Sequence, residues 1–139
     1  MICGLEIEVL WSDEHVVEYR LRAGNGRFAG EADFYDNYEC FSRIAGGMRG
    51  FPQSADDARD IELGTFNPDD AGGGVHLRLR SVDGAGHAAV RVTLRSGDDD
   101  PSTAEFCLPV EAAGIDRFVR ALAGQTTKAG SRARLGEAT

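Results

Sequence analysis

Three histidines, His15, His76 and His87, are the side chains of this sequence best suited to acid–base or metal chemistry. None of them lies four residues from another histidine or in an H-E-x-x-H motif, so a zinc site would need distant residues to converge. His87 follows a glycine-rich turn and His76 lies beside Arg78 on the polar face of a predicted strand, which favours solvated imidazoles. The sequence therefore predicts no catalytic residue, no metal site and no cofactor.

The three cysteines, Cys3, Cys40 and Cys107, are widely spaced and form no C-x-x-C pair, which argues against a disulfide framework or a zinc knuckle. We expect Cys3 and Cys40 to be small core residues. Cys107 falls in the polar phase of its strand without an adjacent histidine, so we interpret it as an inert thiol. Nucleophile-elbow, dinucleotide-binding and P-loop motifs are all missing from the sequence.

Carboxylates outnumber cations in this chain of 139 residues, with 23 Asp and Glu against 15 Lys and Arg and a net charge of −8. Residues 125–139 hold three of the cations and one of the acids, so residues 1–124 hold 12 cations against 22 acids, a net charge of −10. Such a charge repels nucleic acid and suits a basic protein surface.

Acidic residues concentrate in three stretches with the composition of loops. None has the Asp-x-Asp-x-Asp-Gly spacing of a calcium loop, so we interpret them as solvated or partner-binding. The predicted partner-binding residues are Asp56, Asp57, Asp60, Asp69, Asp70, Asp98, Asp99 and Asp100.

Apolar and polar residues alternate in seven stretches, which predicts seven strands, and change to helical spacing in two others. The clearest hairpin spans 75–96 around the turn at 83–86. A first helix is expected over 37–48, begun by a capping box of Asp36 and Glu39, and a second over 110–123, opened by Pro109. The order βββ-α-ββββ-α predicts an α+β fold, a mainly antiparallel sheet of about seven strands covered by two amphipathic helices.

Length and composition predict one domain over residues 1–124 and a flexible C-terminal tail over 125–139. No apolar run approaches the length of about 20 residues that spans a bilayer, and the N-terminus lacks the pattern of a signal peptide. We therefore expect a cytoplasmic protein that does not enter membranes.

The outward faces of the predicted strands carry alternating glutamate and arginine side chains. Two interpretations stay open for these faces. Cross-strand ion pairs would stabilise the sheet and protect its edges, or the faces would recognise a partner. A sheet edge that pairs with a second copy of the chain, giving a homodimer, is a further hypothesis.

Three segments resemble a group of small bacterial proteins that includes relatives of the WapI-type immunity proteins. They are DFYDNYECFSRIAGGMRGFP (33–52), LRLRSVDGAGHAAVRVTL (77–94) and FCLPVEAAGIDRFVRALAG (106–124). The strand–turn–strand hairpin at 83–87 is the most recognisable of these elements. The resemblance implies an immunity or antitoxin-like protein that occludes a toxin and has no chemistry of its own.

Two hypotheses for function follow from the sequence. The first is a non-enzymatic acidic domain that binds a basic protein such as a toxin. The alternative is a small hydrolase or ligand-binding domain that uses His87 and nearby carboxylates in a concavity of the sheet. An apolar pocket in which His87 meets two acids would favour the second hypothesis, whereas a flat, solvated His87 would favour the first.

Overall fold

The computed structural model describes residues 2–137. Its elements follow the order βββ-α-ββββ-α-β. They are β1 (Cys3–Ser12), β2 (Val17–Asn25), β3 (Ala29–Asp36), α1 (Cys40–Met48), β4 (Ala58–Gly64), β5 (Gly74–Ser81), β6 (His87–Arg95), β7 (Thr103–Glu111), α2 (Ala112–Ala123) and β8 (Arg132–Glu137). Neither helix of the described segment is long and apolar enough to cross a membrane.

The strands form two antiparallel sheets rather than one, which corrects the expected single sheet of about seven strands. Sheet A has the order β3-β2-β1-β8 and sheet B the order β4-β5-β6-β7. Each strand is apolar on one face only, and two sheets packed face to face bury both apolar faces. The α+β class, the antiparallel pairing and the hairpin expected over 75–96, formed by β5 and β6, are confirmed.

One hydrophobic cluster joins the inner faces of both sheets and the buried faces of the two helices. Helices α1 and α2 pack against each other, α2 contacts β8 and β7, and α1 contacts β4. Strand β3 crosses one end of sheet B, where it contacts β4, β5 and β6. There the backbone amide of Gly73 donates to the carbonyl of Asp33 at 2.9 Å, which fixes the loop after β4 against β3.

Both helices begin later than their sequence patterns indicate. Helix α1 begins at Cys40 because the expected capping box does not form: Glu39 occupies the N-cap position without a side-chain bond. Asp36 instead accepts hydrogen bonds from Arg43 at 2.8 Å and from the amide of Gly64 at 3.2 Å, which ties β3 to β4. Pro109 lies in β7, an edge strand that tolerates its missing donor, rather than opening α2.

The expected C-terminal tail is also corrected, because residues 132–137 form strand β8, which pairs with β1 along its length. Leu135 is 1% exposed within the core. The segment has only a short alternation of polar and apolar residues between two glycines, so the sequence predicts this strand weakly. Residues 138–139 of the expected tail lie outside the described residues. Cys3, expected in the core, is exposed at the start of β1, whereas Cys40 is buried as expected.

Candidate partner-binding surface

The register of sheet B divides the eight predicted aspartates between its two ends. Loop 53–57 precedes β4 and lies beside the β5–β6 turn, with which it lines a shallow depression. Loops 65–73 and 96–102 follow β4 and β6 at the opposite end, because Gly64, Gly74 and Arg95 stand side by side in the sheet. The two ends are separated by the length of β4, about 20 Å for seven residues. The eight carboxylates therefore do not form one surface.

Loops 65–73 and 96–102 touch each other, and we call these two loops the acidic end. A Cβ atom added at Gly97 would lie 2.5 Å from the carbonyl carbon of Gly72, so the two backbones pack together where only glycine fits. Between them the loops carry five exposed carboxylates and no lysine or arginine. These are Asp69, Asp70, Asp98, Asp99 and Asp100.

The aspartates of the acidic end have few partners within the chain. Asp70 accepts a hydrogen bond from the Thr65 hydroxyl at 3.0 Å. In the described residues, the carboxylates of Asp98, Asp99 and Asp100 form neither a hydrogen bond nor an ion pair. Three consecutive uncompensated charges on a short loop repel one another and project a negative field into solvent.

Asp57 and Asp60, by contrast, are engaged within the fold. Asp57 binds the guanidinium of Arg59 at 2.9 Å and the amide of Gln53, and both interactions lower its pKa. Asp60 accepts from His76 at 2.8 Å and from Arg78 at 2.5 Å, and these contacts lower the pKa of Asp60. Both side chains hold local structure together. Asp56 is exposed in loop 53–57, at the end of sheet B remote from the acidic end.

The outer face of sheet A carries a regular charge ladder, as one of the two sequence interpretations predicts. Its rungs alternate in sign across β3, β2, β1 and β8, and the first consists of Glu31, Arg22, Glu6 and Arg134. Glu6 accepts hydrogen bonds from Arg22 at 3.1 Å and from Arg134, and its side chain is 2% exposed beneath them. Burial raises the pKa of Glu6, but the two guanidinium groups outweigh it and leave the pKa below its usual value.

A second rung of sheet A pairs in the same way. Arg20 binds both carboxylate oxygens of Asp33 at 2.7 and 2.9 Å, and Arg132 lies 3.4 Å from Glu8. The charges of these two rungs are thus satisfied by their cross-strand neighbours. Such pairing stabilises the sheet without any partner.

An exposed aromatic pair, which sequence analysis did not single out, adjoins the acidic end. The rings of Trp11 and Tyr35 have centroids 6.3 Å apart in an edge-to-face arrangement. The Tyr35 ring also packs on loop 65–73, since a Cβ atom at Gly72 would lie 2.8 Å from its Cδ2 atom. The sequence offered a weak signal only, because Trp11 falls in the inward phase of the alternation in β1.

His87 meets two carboxylates beside an open groove. Its Nδ1 atom lies 2.7 Å from Asp83 and its Nε2 atom 3.6 Å from Glu111. The hydrogen bond that its Nδ1–H donates to Asp83, together with the negative charges of Asp83 and Glu111, raises the pKa of His87. The side chain nevertheless remains 54% exposed. The two acids beside His87 favour the hypothesis of a hydrolase or ligand-binding domain. Its exposure to solvent favours the hypothesis of a protein-binding domain.

The groove beside His87 has a volume of about 360 Å³ and includes Arg80, Ala89, Cys107 and Pro109. Cys107 pairs with Arg91 and His87 with Glu111, so the backbone positions of His87 and Cys107 are four residues apart along the sheet, about 13 Å. That distance is too long for a Cys–His dyad. Within residues 2–137, no group of three or more His, Cys, Asp or Glu side chains is arranged to hold a metal ion.

No protein-family model matches this chain, and no curated protein or solved structure is similar to it. Among the side-chain clusters of the described residues, the acidic end stands out by its uncompensated charge.

Proposed function

We propose that this chain is a non-enzymatic binding domain whose acidic end engages a basic protein, in the manner of an immunity or antitoxin protein that covers a toxin. One contrast supports the proposal. The carboxylates of the two charge rungs of sheet A, and those of Asp57 and Asp60, bind arginine or histidine neighbours, whereas Asp98, Asp99 and Asp100 have none in the described residues.

Uncompensated charge at one end has a direct physical consequence for association. A concentrated negative field attracts a cationic surface during diffusion and orients it before contact. The same charges cost the free protein self-repulsion, which a basic partner relieves on binding. An acidic surface of this kind competes for protein sites shaped to bind phosphate, as in nucleases.

The test is to capture partners from a lysate of the source organism with the tagged protein, and then to measure association rates with the purified partner. The test variant is Asp98→Asn/Asp99→Asn. The control variant, Asp56→Asn/Asp116→Asn, removes the same charge from exposed sites outside the acidic end. We expect a basic partner whose association with the test variant is slower by about three- to tenfold at low ionic strength.

Salt provides the second readout. In 1 M salt, where the Debye length is about 3 Å, the rates of the two variants should converge. An acidic partner, or equal rates and equal salt dependence for test and control variants, would contradict the proposal.

A second candidate function is binding of a small ligand in the groove beside His87. The convergence of Asp83 and Glu111 on its imidazole favours this candidate. An NMR screen of polar fragments tests it: binding should shift the resonances of Arg80 and Ala89, which share the groove. A screen in which these resonances do not move would exclude it.

A further inference from the structure

Trp11, Glu18 and Tyr35 form one rung on the outer face of sheet A. In β1, Val9 pairs with Tyr19, whereas Trp11 pairs with Glu18, so Leu10 is an extra residue in the strand. This β-bulge reverses the alternation and turns Trp11 from the core to the outer face. Glu18 pairs in turn with Tyr35 on β3, so the carboxylate-bearing strand runs between the two aromatic residues.

The two rings lean toward each other above β2. Their centroids lie 6.3 Å apart, although the strands that carry them are separated by two inter-strand spacings, close to 10 Å. Trp11 is 40% and Tyr35 is 38% exposed, so each ring keeps part of its surface in water. Exposed aromatic residues of this size are enriched at the energetic centres of protein interfaces.

Glu18 gives this aromatic rung a negative charge that the fold does not neutralise. Within the described segment, no arginine, lysine or histidine lies within salt-bridge distance of Glu18. Arg20, two residues along the same strand, is held by both oxygens of Asp33. The nearby Glu18 carboxylate also raises the pKa of Tyr35.

We propose that the rung of Trp11, Glu18 and Tyr35 binds an arginine side chain of the basic partner, an inference that rests on the proposed function. A guanidinium group stacks on aromatic faces through cation–π attraction and at the same time pairs with a carboxylate. The rung is continuous with the acidic end, because the Tyr35 ring packs on Gly72. The acidic end attracts the partner, and the aromatic rung anchors one of its side chains.

Trp11 is the only tryptophan of the chain, so its fluorescence reports directly on this rung. The probe is a hexa-arginine peptide, and hexa-citrulline, which has nearly the same shape without the charge, is its control. We expect a saturable change in Trp11 emission with hexa-arginine, a weaker response to hexa-lysine and none with hexa-citrulline. An equal response to hexa-lysine would contradict the assignment to a guanidinium group.

Two variants locate the binding site. Tyr35→Leu and Glu18→Gln should each raise the Kd for hexa-arginine by about two- to fivefold, the range for an exposed cation–π contact or ion pair. Phe28→Leu, which replaces another exposed aromatic residue, should leave the Kd unchanged. If neither rung variant weakens binding more than Phe28→Leu does, the rung does not hold the cation.

The outcomes separate this inference from the proposed function. Partner capture that depends on Asp98 and Asp99 but not on Tyr35 or Glu18 overturns the aromatic anchor and leaves the proposed function standing. Tyr35-dependent binding of hexa-arginine, with a captured partner that is acidic, supports the anchor as a guanidinium site and overturns the proposed function.

Discussion

Replacing Glu6 by glutamine should destabilise the protein more than any other single loss of charge in the ladder of sheet A. The Glu6 carboxylate accepts hydrogen bonds from Arg22 and Arg134 and is almost fully covered by them. Each charge-assisted hydrogen bond is worth about 1.5–3 kcal/mol. Glutamine keeps one neutral acceptor but points its amide NH₂ at a second donor, so one bond is lost and the other is weakened.

The loss of stability in Glu6→Gln is limited because water can solvate the guanidinium groups of Arg22 and Arg134. Their side chains are 44% and 47% exposed in the folded protein, so neither becomes a buried unpaired charge. We therefore expect Glu6→Gln to reduce the free energy of unfolding by about 2 kcal/mol, or roughly 6–8 °C in Tm for a domain of this size. Urea denaturation at pH 7 measures the free energy.

The same variant has a defined pH dependence. Because the pKa of Glu6 is lowered in the folded state, its stabilising contribution is complete above the ordinary glutamate pKa of about 4.3 and is lost as the pH falls through the lowered value. The difference in the free energy of unfolding between wild type and Glu6→Gln should therefore become smaller below about pH 4.

Glu31→Gln is the control, since Glu31 is 54% exposed and lies 3.9 Å from Arg20. We expect this control to cost under about 0.5 kcal/mol. Two results would refute the view that Glu6 is the central acceptor of the ladder. One is an equal loss of unfolding free energy in Glu6→Gln and Glu31→Gln, and the other is a difference between wild type and Glu6→Gln that stays the same at acidic pH.

Three further predictions concern stability and reactivity. Deleting residues 132–139 should abolish cooperative thermal unfolding monitored by circular dichroism, because β1 loses its partner strand. An unchanged unfolding transition would instead support the flexible tail that the sequence predicts. NMR titration should give His87 a pKa above its ordinary value, and Asp83→Asn should lower that pKa part of the way back, because the negative charge of Glu111 remains. The raised pKa stabilises the fold below the ordinary histidine pKa, and this contribution is lost as the pH rises through the raised value. Cys3 should react with a disulfide reagent in the native protein, whereas Cys40, whose pKa burial raises to about 12, should react only after unfolding; equal rates would contradict the placement of Cys40 in the core.

Local patterns in the sequence were sufficient to predict most strands. The hairpin of β5 and β6 followed from strict alternation on both sides of a glycine-rich turn, and the structure confirms it. Alternation does not say which strands become neighbours, so two sheets of four could not be distinguished from one of seven. Pro109 illustrates a similar limit: it favours a helix start in isolation but lies in an edge strand here.

The candidate site was predictable in composition but not in arrangement. All eight aspartates lie in loops or on β4, yet their division between two ends depends on strand register. The partners of Asp60, His76 and Arg78, come from the neighbouring strand β5, whereas Asp57 is held by its near neighbours Gln53 and Arg59. The aromatic rung was missed because a bulge at Leu10 reverses the phase of Trp11, and a bulge leaves no local signature in the residue types.

The pairing of β1 with β8 has a consequence for the order of folding. Glu6 and Arg134 are 128 positions apart, so their contact closes nearly the whole chain into a loop and carries a large entropic cost. Hairpins of sheet B close only short loops, and we expect them to form first. A circular permutant that joins the paired ends of β1 and β8 and opens the chain in the β5–β6 turn would make the longest-range contact local, and should reverse this order.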